Sequence, residues 1–277
     1  MSTIRTSVKK PTSIKFWNGN KSASRQEYEL EILTLALAAS EQEYGSCSIN
    51  TDTADYPSAE DEAGVFHEKN FDVFVTVAGN KKLEHEDKII IHRPLMNGLL
   101  GFRLMIVRSE DLPRFSSIEN EEELKRLRMG IPATWADADL FRCNGFEVVE
   151  DGTYDDIYDR LANRQFDYFC LGANEIEEAF ESVREQYIEL TIEPTILIYY
   201  PFPLVFYVNP IRPDLADRIE QGLIRIQTNG IAESLFRETI GDLTERLDLT
   251  NRKIFNLENP ILSPELKSFT PTLLGSQ

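Results

Sequence analysis

Only three cysteines occur in the 277 residues, Cys47, Cys143 and Cys170. That is too few, and too scattered, for a zinc cluster or a disulfide framework. Cys143 and Cys170 fall in one stretch where a single bridge is conceivable, but free buried thiols are the reading preferred. Basic charge is scarce too: 29 Lys and Arg stand against 47 Asp and Glu, a formal charge of −18 with a pI near 4.6. Such a surface repels phosphate backbones and anionic lipid, so nucleic-acid binding and direct membrane insertion are not expected. The densest basic cluster, Lys125-Arg126-Leu127-Arg128, follows acidic residues and reads as a solvated helix end. No apolar run approaches the roughly 20 residues of a membrane span. Met1 to Pro11 is basic and polar without an apolar core, so no secretory signal is legible. The expected location is periplasmic if a leader has been removed and cytoplasmic if the chain is complete. The sequence also lacks G-x-S-x-G, H-E-x-x-H and a Walker-type Gly-Lys-Ser/Thr. Its three histidines have no metal-ligand spacing. No cofactor, metal or catalytic residue is therefore assigned, although two-carboxylate chemistry stays open among so many acids.

What is present is an alternation of strand and helix patterns. Ser13 to Asn18 reads as a short first strand. Gln26 to Ser40 reads as a helix with acidic residues in its first turn and an apolar face of Tyr28, Leu30, Ile32, Leu33, Leu35 and Leu37. Cys47 to Asn50 is a weak strand, Ser58 to His67 a short acidic helix, and Phe71 to Val77 an alternating strand closed by Ala78-Gly79-Asn80. Lys88 to Pro94 reads as a strand. Gly101 to Arg108 opens a unit of four strands and three helices that ends at Phe166 to Gly172. Tyr187 to Ile192, Thr195 to Tyr200 and Pro201 to Asn209 continue with β character. Asp214 to Ile240 is amphipathic helix with a break near Asn229-Gly230, and Phe255 to Gln277 reads as an extended tail. Such alternation implies an α/β fold of mostly parallel sheets flanked by helices.

Two stretches connect the flanks to the middle, about 93–102 outward and about 194–203 back, each with proline or glycine. The expected division is a discontinuous first lobe, 1–95 plus 200–277, and a second lobe, 101–195.

Several pieces in this order resemble a known family. They are Ile14-Lys15-Phe16-Trp17, Phe71-Asp72-Val73-Phe74-Val75, the crossing Pro94-Leu95-Met96-Asn97-Gly98-Leu99-Leu100-Gly101-Phe102-Arg103, Leu161 to Asp167, and Phe206-Tyr207-Val208-Asn209 before Pro213-Asp214-Leu215. The pattern is similar to the bacterial extracellular solute-binding proteins of the amino-acid-binding type, with the type II periplasmic-binding-protein fold, in an uncharacterised branch with a PLxxGLLGxR crossing. The resemblance covers most of residues 12 to 240. It implies two lobes joined by two crossing strands, closing on a small polar ligand, an amino acid or small carboxylate, for delivery to a membrane permease. A monomer is expected. The alternatives are a sensor or partner-binding domain on the same fold and, less favoured, a lyase or dehydratase. Where the family clamps a ligand carboxylate with a Glu-Arg pair, this chain has Glu84-His85; where it offers an aspartate to the ligand's amino group, the turn here is Gly172-Ala173-Asn174-Glu175.

The candidate ligand-binding residues follow, each with a plainer alternative. Phe16 and Trp17 end the first strand and either stack on a ligand or fill core. Gly79 and Asn80 offer amides or form a plain turn. His85 and Arg93 are cations near the first crossing, with a surface ion pair the plainer role for Arg93. Thr134 is placed as a helix N-cap with Asp137 as its capping-box acid, and Trp135 at the mouth of the cleft. Asn174 and Glu175 face the cleft if the family register holds, and Tyr200 lines the return crossing or packs in the core.

Overall fold

The computed structural model describes residues 12–56, 58–260 and 262–267. Among these, twelve strands follow one another: β1 (Thr12–Trp17), β2 (Cys47–Asp52), β3 (Val73–Val77), β4 (Ile89–Ile90), β5 (Phe102–Arg108), β6 (Arg128–Ile131), β7 (Glu147–Glu150), β8 (Tyr168–Gly172), β9 (Leu190–Ile192), β10 (Ile196–Tyr199), β11 (Leu204–Val208) and β12 (Lys253–Asn256). One sheet runs β2-β1-β3-β11-β4, the other β12-β10-β5-β8-β6-β7, with β9 also paired to β5. The chain forms two compact units. The first is Met1–Thr76, His85–Arg93 and Phe206–Leu235; the second is Val77–Glu84, Pro94–Val205 and Phe236–Gln277.

In the first unit β1 pairs in parallel with both β2 and β3, and β4 runs antiparallel to β11. The helix Ala23–Ala39 begins earlier than its periodicity suggests. Ser22 caps it, accepting a bond from the Arg25 N–H, so the acidic residues fall beyond the first turn. Its face of Tyr28, Ile32, Leu33, Ala36 and Leu37 is buried. It packs on the helix Pro213–Thr228, which stops at Asn229, where the sequence breaks. Gly222 permits that approach, because a Cβ there would fall 2.0 Å from the Ala36 carbonyl oxygen. Helix propensity alone favours alanine by about 1 kcal/mol. The clash is with backbone and wins, so Gly222→Ala is expected to lower the urea midpoint by about 1–3 kcal/mol of stability. A stabilised variant would mean that the two helices do not pack this closely.

The second unit's sheet is mixed rather than mostly parallel. β6 pairs in parallel with β7 and β8, and β10 with β12, whereas β5 is antiparallel to β8, β9 and β10. Every residue of β5 and β8 is buried, which accounts for their nearly continuous apolar sequences. Beside β5 the chain segments 95–101 and 200–204 run against each other: Tyr200 N–H donates to Gly101 O at 3.2 Å, and Leu95 N–H to Leu204 O at 2.9 Å.

Four expectations need correction. The stretch read as an extended tail from Phe255 begins inside β12, which pairs with β10. Arg252, just before it, is buried and donates to the Glu193, Ile196 and Leu247 carbonyls. Glu193 and Ile196 lie far away in sequence, so no local pattern announces them. The strand expected over 88–94 shrinks to Ile89–Ile90, and the helix expected over 58–67 ends at Ala63. All three cysteines are free, but only Cys170 is buried; Cys143 is exposed.

Candidate functional site

In the second unit, the carboxyl ends of β6 and β8 hold most of the polar side chains that could meet a ligand. After β6 the chain turns sharply through Ala133, Thr134 and Trp135. Thr134 takes φ +69°, in the left-handed region, and the Glu150 carboxylate accepts a bond from its N–H at 3.1 Å. The helix that follows is Asp137–Cys143, so Thr134 is not its N-cap and Asp137 is its first residue rather than a capping-box acid. The cause lies behind the turn. Asp137 is buried, and its Oδ2 accepts from Arg103 Nη2 at 2.5 Å and from Tyr200 Oη at 2.9 Å. Burial works against the Arg103 charge, but Asp137, Tyr200, Glu175 and Cys170 together outweigh it, and the guanidinium is held above its ordinary pKa. Burial pushes the Tyr200 hydroxyl well above its ordinary value.

Trp135 is half-buried and stacks on Tyr154, with ring centroids 5.9 Å apart and planes 14° from parallel. It lines a pocket of about 240 Å³ together with Asn80, Lys81, Thr134, Asp139 and Glu150. Asn80 accepts a bond from the Lys82 N–H at 3.1 Å and so caps the turn Lys81–Leu83. The rim alternates in charge. Lys81 pairs with Asp139, Asp139 with Arg142 at 3.4 Å, and Arg142 with Glu150 at 2.7 Å. The bond from Lys81 draws the Asp139 pKa down, and the bond that Arg142 donates to Glu150 draws the arginine's up. These pairs are largely solvent-exposed, so each contributes only about 0–1 kcal/mol to stability. Their consequence is a wall that offers cations and anions, an amide and an aromatic face within one small volume.

Asn174 and Glu175 follow β8. The Asn174 carboxamide is buried with neither its oxygen nor its nitrogen hydrogen-bonded, and Glu175 is half-buried and acts electrostatically on Arg103. Gly79, with φ +77°, leads into Asn80. The structure therefore gathers Asn80, Thr134 and Trp135 around one pocket, and Tyr200 around the Arg103–Asp137 pair.

The remaining candidates lie in the first unit. Phe16 and Trp17 are buried; the Trp17 indole N–H donates to Ala54 O at 2.9 Å, and its ring stacks on Tyr56 at 5.3 Å. Arg93 is paired with Glu220 at 3.7 Å, and His85 is exposed. Sequence reasoning missed Lys81, Asp139, Glu150 and above all Arg103. Arg103 had a legible signal, a lone cation inside the apolar run Phe102-Arg103-Leu104-Met105-Ile106-Val107. A charge buried there requires a partner. Among the described residues no group of three or more His, Cys, Asp or Glu is placed to hold a metal ion.

No protein-family model and no curated protein matches this chain in sequence. Solved structures do. One is ytmK from Bacillus subtilis, described as a probable amino-acid ABC transporter extracellular-binding protein: TM-score 0.59 and 15% identity, over 84% of this chain and 99% of that one. A structure from work on glutathione import through GshT and the cystine importer TcyBC of Streptococcus mutans gives TM-score 0.55 and 10% identity, over 84% and 96%. A histidine kinase sensor domain with similarity to periplasmic binding proteins gives 0.55 and 13%, over 84% and 97%. At such identities the likeness concerns the fold, and the chain has the type II periplasmic-binding-protein fold.

Proposed function

On that fold, we propose that the chain is a binding protein for a small polar solute, an amino acid or small carboxylate, held in the pocket beside Trp135. The observation that carries this reading is the lining itself. The Trp135 face offers stacking, the Asn80 carboxamide and the Thr134 turn offer hydrogen bonds, and Lys81 and Asp139 offer opposite charges to a ligand that bears both. A volume of about 240 Å³ suits a ligand of amino-acid size. Occupancy favours whichever conformation completes these contacts, by population shift. Delivery to a membrane permease is the role in keeping with the extracellular-binding likenesses. A sensor role is the second reading, favoured by the likeness to a kinase sensor domain. No helix among the described residues is long and apolar enough to cross a membrane.

A thermal-shift screen against amino acids, small carboxylates, polyamines and sugars tests the proposal. A true ligand stabilises by about 2.7 kcal/mol at a hundredfold over its dissociation constant, and it must be recovered chemically unchanged. Silence across the panel, or a consumed ligand, would overturn it. With the best amino acid or carboxylate from that screen, Trp135→Ala is expected to lose about 1 kcal/mol, a roughly fivefold weaker affinity, with the circular dichroism unchanged. Equal affinity in a folded variant would remove Trp135 from the site.

A further inference from the structure

We propose that Arg103, Tyr200 and Asn174 form a carboxylate receptor inside the second unit, and that Asp137 occupies it as an internal ligand that leaves it half filled. A guanidinium presents Nε–H and Nη2–H side by side, a fork that matches the two oxygens of one carboxylate. Here only one tine is used. Arg103 Nη2 donates to Asp137 Oδ2 at 2.5 Å, while Nε is buried and has no acceptor. Tyr200 Oη donates at 2.9 Å to that same oxygen. The other Arg103 bonds are long, Nη1 to Leu100 O at 3.3 Å and Nη2 to Cys170 O at 3.5 Å.

A second set of idle groups stands nearby. Arg103 is the cross-strand partner of Gly172, and paired residues project to one face of a sheet. On that face Asn174 Oδ1 lies 2.6 Å from where a Cβ on Gly172 would sit. The Asn174 carboxamide is buried, and both its polar atoms are unpaired. Buried donors are costly to leave unused, and native structures seldom do so. Asp137 is the first residue of its helix, so its backbone fixes the direction from which its carboxylate approaches. A free monocarboxylate has no such tether and fills both tines of the fork. Displacing Asp137 releases the helix start that follows Trp135, which links occupancy of the receptor to the shape of the pocket. The receptor is distinct from that pocket and does not depend on which solute the pocket takes.

The test removes the internal ligand and supplies formate. In Asp137→Ala, sodium formate is expected to raise the unfolding midpoint saturably in the millimolar range, where sodium chloride of equal ionic strength does not. Wild-type protein should need at least tenfold more formate for the same shift, because Asp137 competes. Adding Arg103→Met to Asp137→Ala should abolish the response. If Asp137→Ala does not fold in buffer, the same titration is read as recovery of the near-ultraviolet circular dichroism on refolding. Formate-dependent recovery then supports the receptor. Equal effects of formate and chloride, no recovery, or a response that survives Arg103→Met would overturn it. The solute screen on wild-type protein reports on the pocket separately, so either result stands without the other.

Discussion

Replacing Glu29 with glutamine is expected to destabilise the protein by about 3–5 kcal/mol, read as a lower denaturant midpoint at unchanged slope. Glu29 is fully buried on the helix Ala23–Ala39, where it is the shared counter-charge of two cations. Lys21 Nζ reaches its Oε2 at 2.5 Å, and Arg25 Nη2 and Nε reach its Oε1 at 2.8 and 3.0 Å. Lys21 also donates to Val75 O at 3.2 Å, which ties the start of the helix to β3. Burial lowers the Lys21 pKa, although Glu29 works to raise it. Glutamine keeps the volume but removes the negative charge, leaving Lys21 buried beside Arg25 without its main compensation. The loss comes from that stranded charge more than from the missing bonds. Lys21→Met in the Glu29→Gln background should therefore restore most of the stability, an interaction that a double-mutant cycle measures directly. Glu29→Gln within about 0.5 kcal/mol of wild type would show that water, or Glu62, which also acts electrostatically on Lys21, already compensates the cations.

The ion cluster on that helix shows what the sequence could and could not disclose. Tyr28, Leu30, Ile32, Leu33, Leu35 and Leu37 make a legible apolar face, and four of them bury, Leu30 and Leu35 only in part. Glu29 sits in the same pattern and looks like a solvated acid, because its partners are chosen by the fold and not by spacing. The places of several strands along the chain were legible for a related reason: β1, β3, β5 and β8 each carry a local apolar pattern that needs no knowledge of their neighbours. β12 carries no such pattern, and it exists through pairing with β10. The pocket divides along the same line. Trp135, Thr134 and Asn80 lie at strand ends, where sequence alone directs attention. Lys81, Asp139 and Glu150 are ordinary surface charges until a turn brings them together. Trp17 shows the converse, a ligand-stacking candidate whose ring stacks on the chain's own Tyr56.

Raising the pH above 10 is expected to unfold the protein steeply, because its buried tyrosines cannot ionise where they stand. Burial holds Tyr168 and Tyr200 well above the ordinary tyrosine value, raises Tyr158 and pushes Tyr199 up to about 12. In the unfolded chain each ionises near 10. A group whose folded pKa is raised contributes stability that is fully present below its unfolded pKa and is lost as pH climbs towards the folded one. The loss runs at about 1.4 kcal/mol per tyrosine per pH unit, so the two fully buried tyrosines alone remove about 3 kcal/mol by pH 11. Cys170, also raised by burial, starts the decline nearer pH 8.5. Lys21 opposes it, since its lowered pKa returns stability as pH rises, but that return is complete near 10.5. Denaturant midpoints measured from about pH 8 to 11.5, with tyrosinate absorbance followed alongside, would check this; a flat profile would sink it. The two tyrosines should also part company at neutral pH. Tyr168 Oη has no hydrogen-bond partner, so Tyr168→Phe relieves a buried orphan and should be neutral or stabilising there. Tyr200 Oη serves Asp137, so Tyr200→Phe should cost about 1.5–3 kcal/mol, the range for a bond to a charged group. Both substitutions should flatten the alkaline limb by the same one-tyrosine share, because that limb counts hydroxyls that must ionise and is blind to what they hold at pH 7.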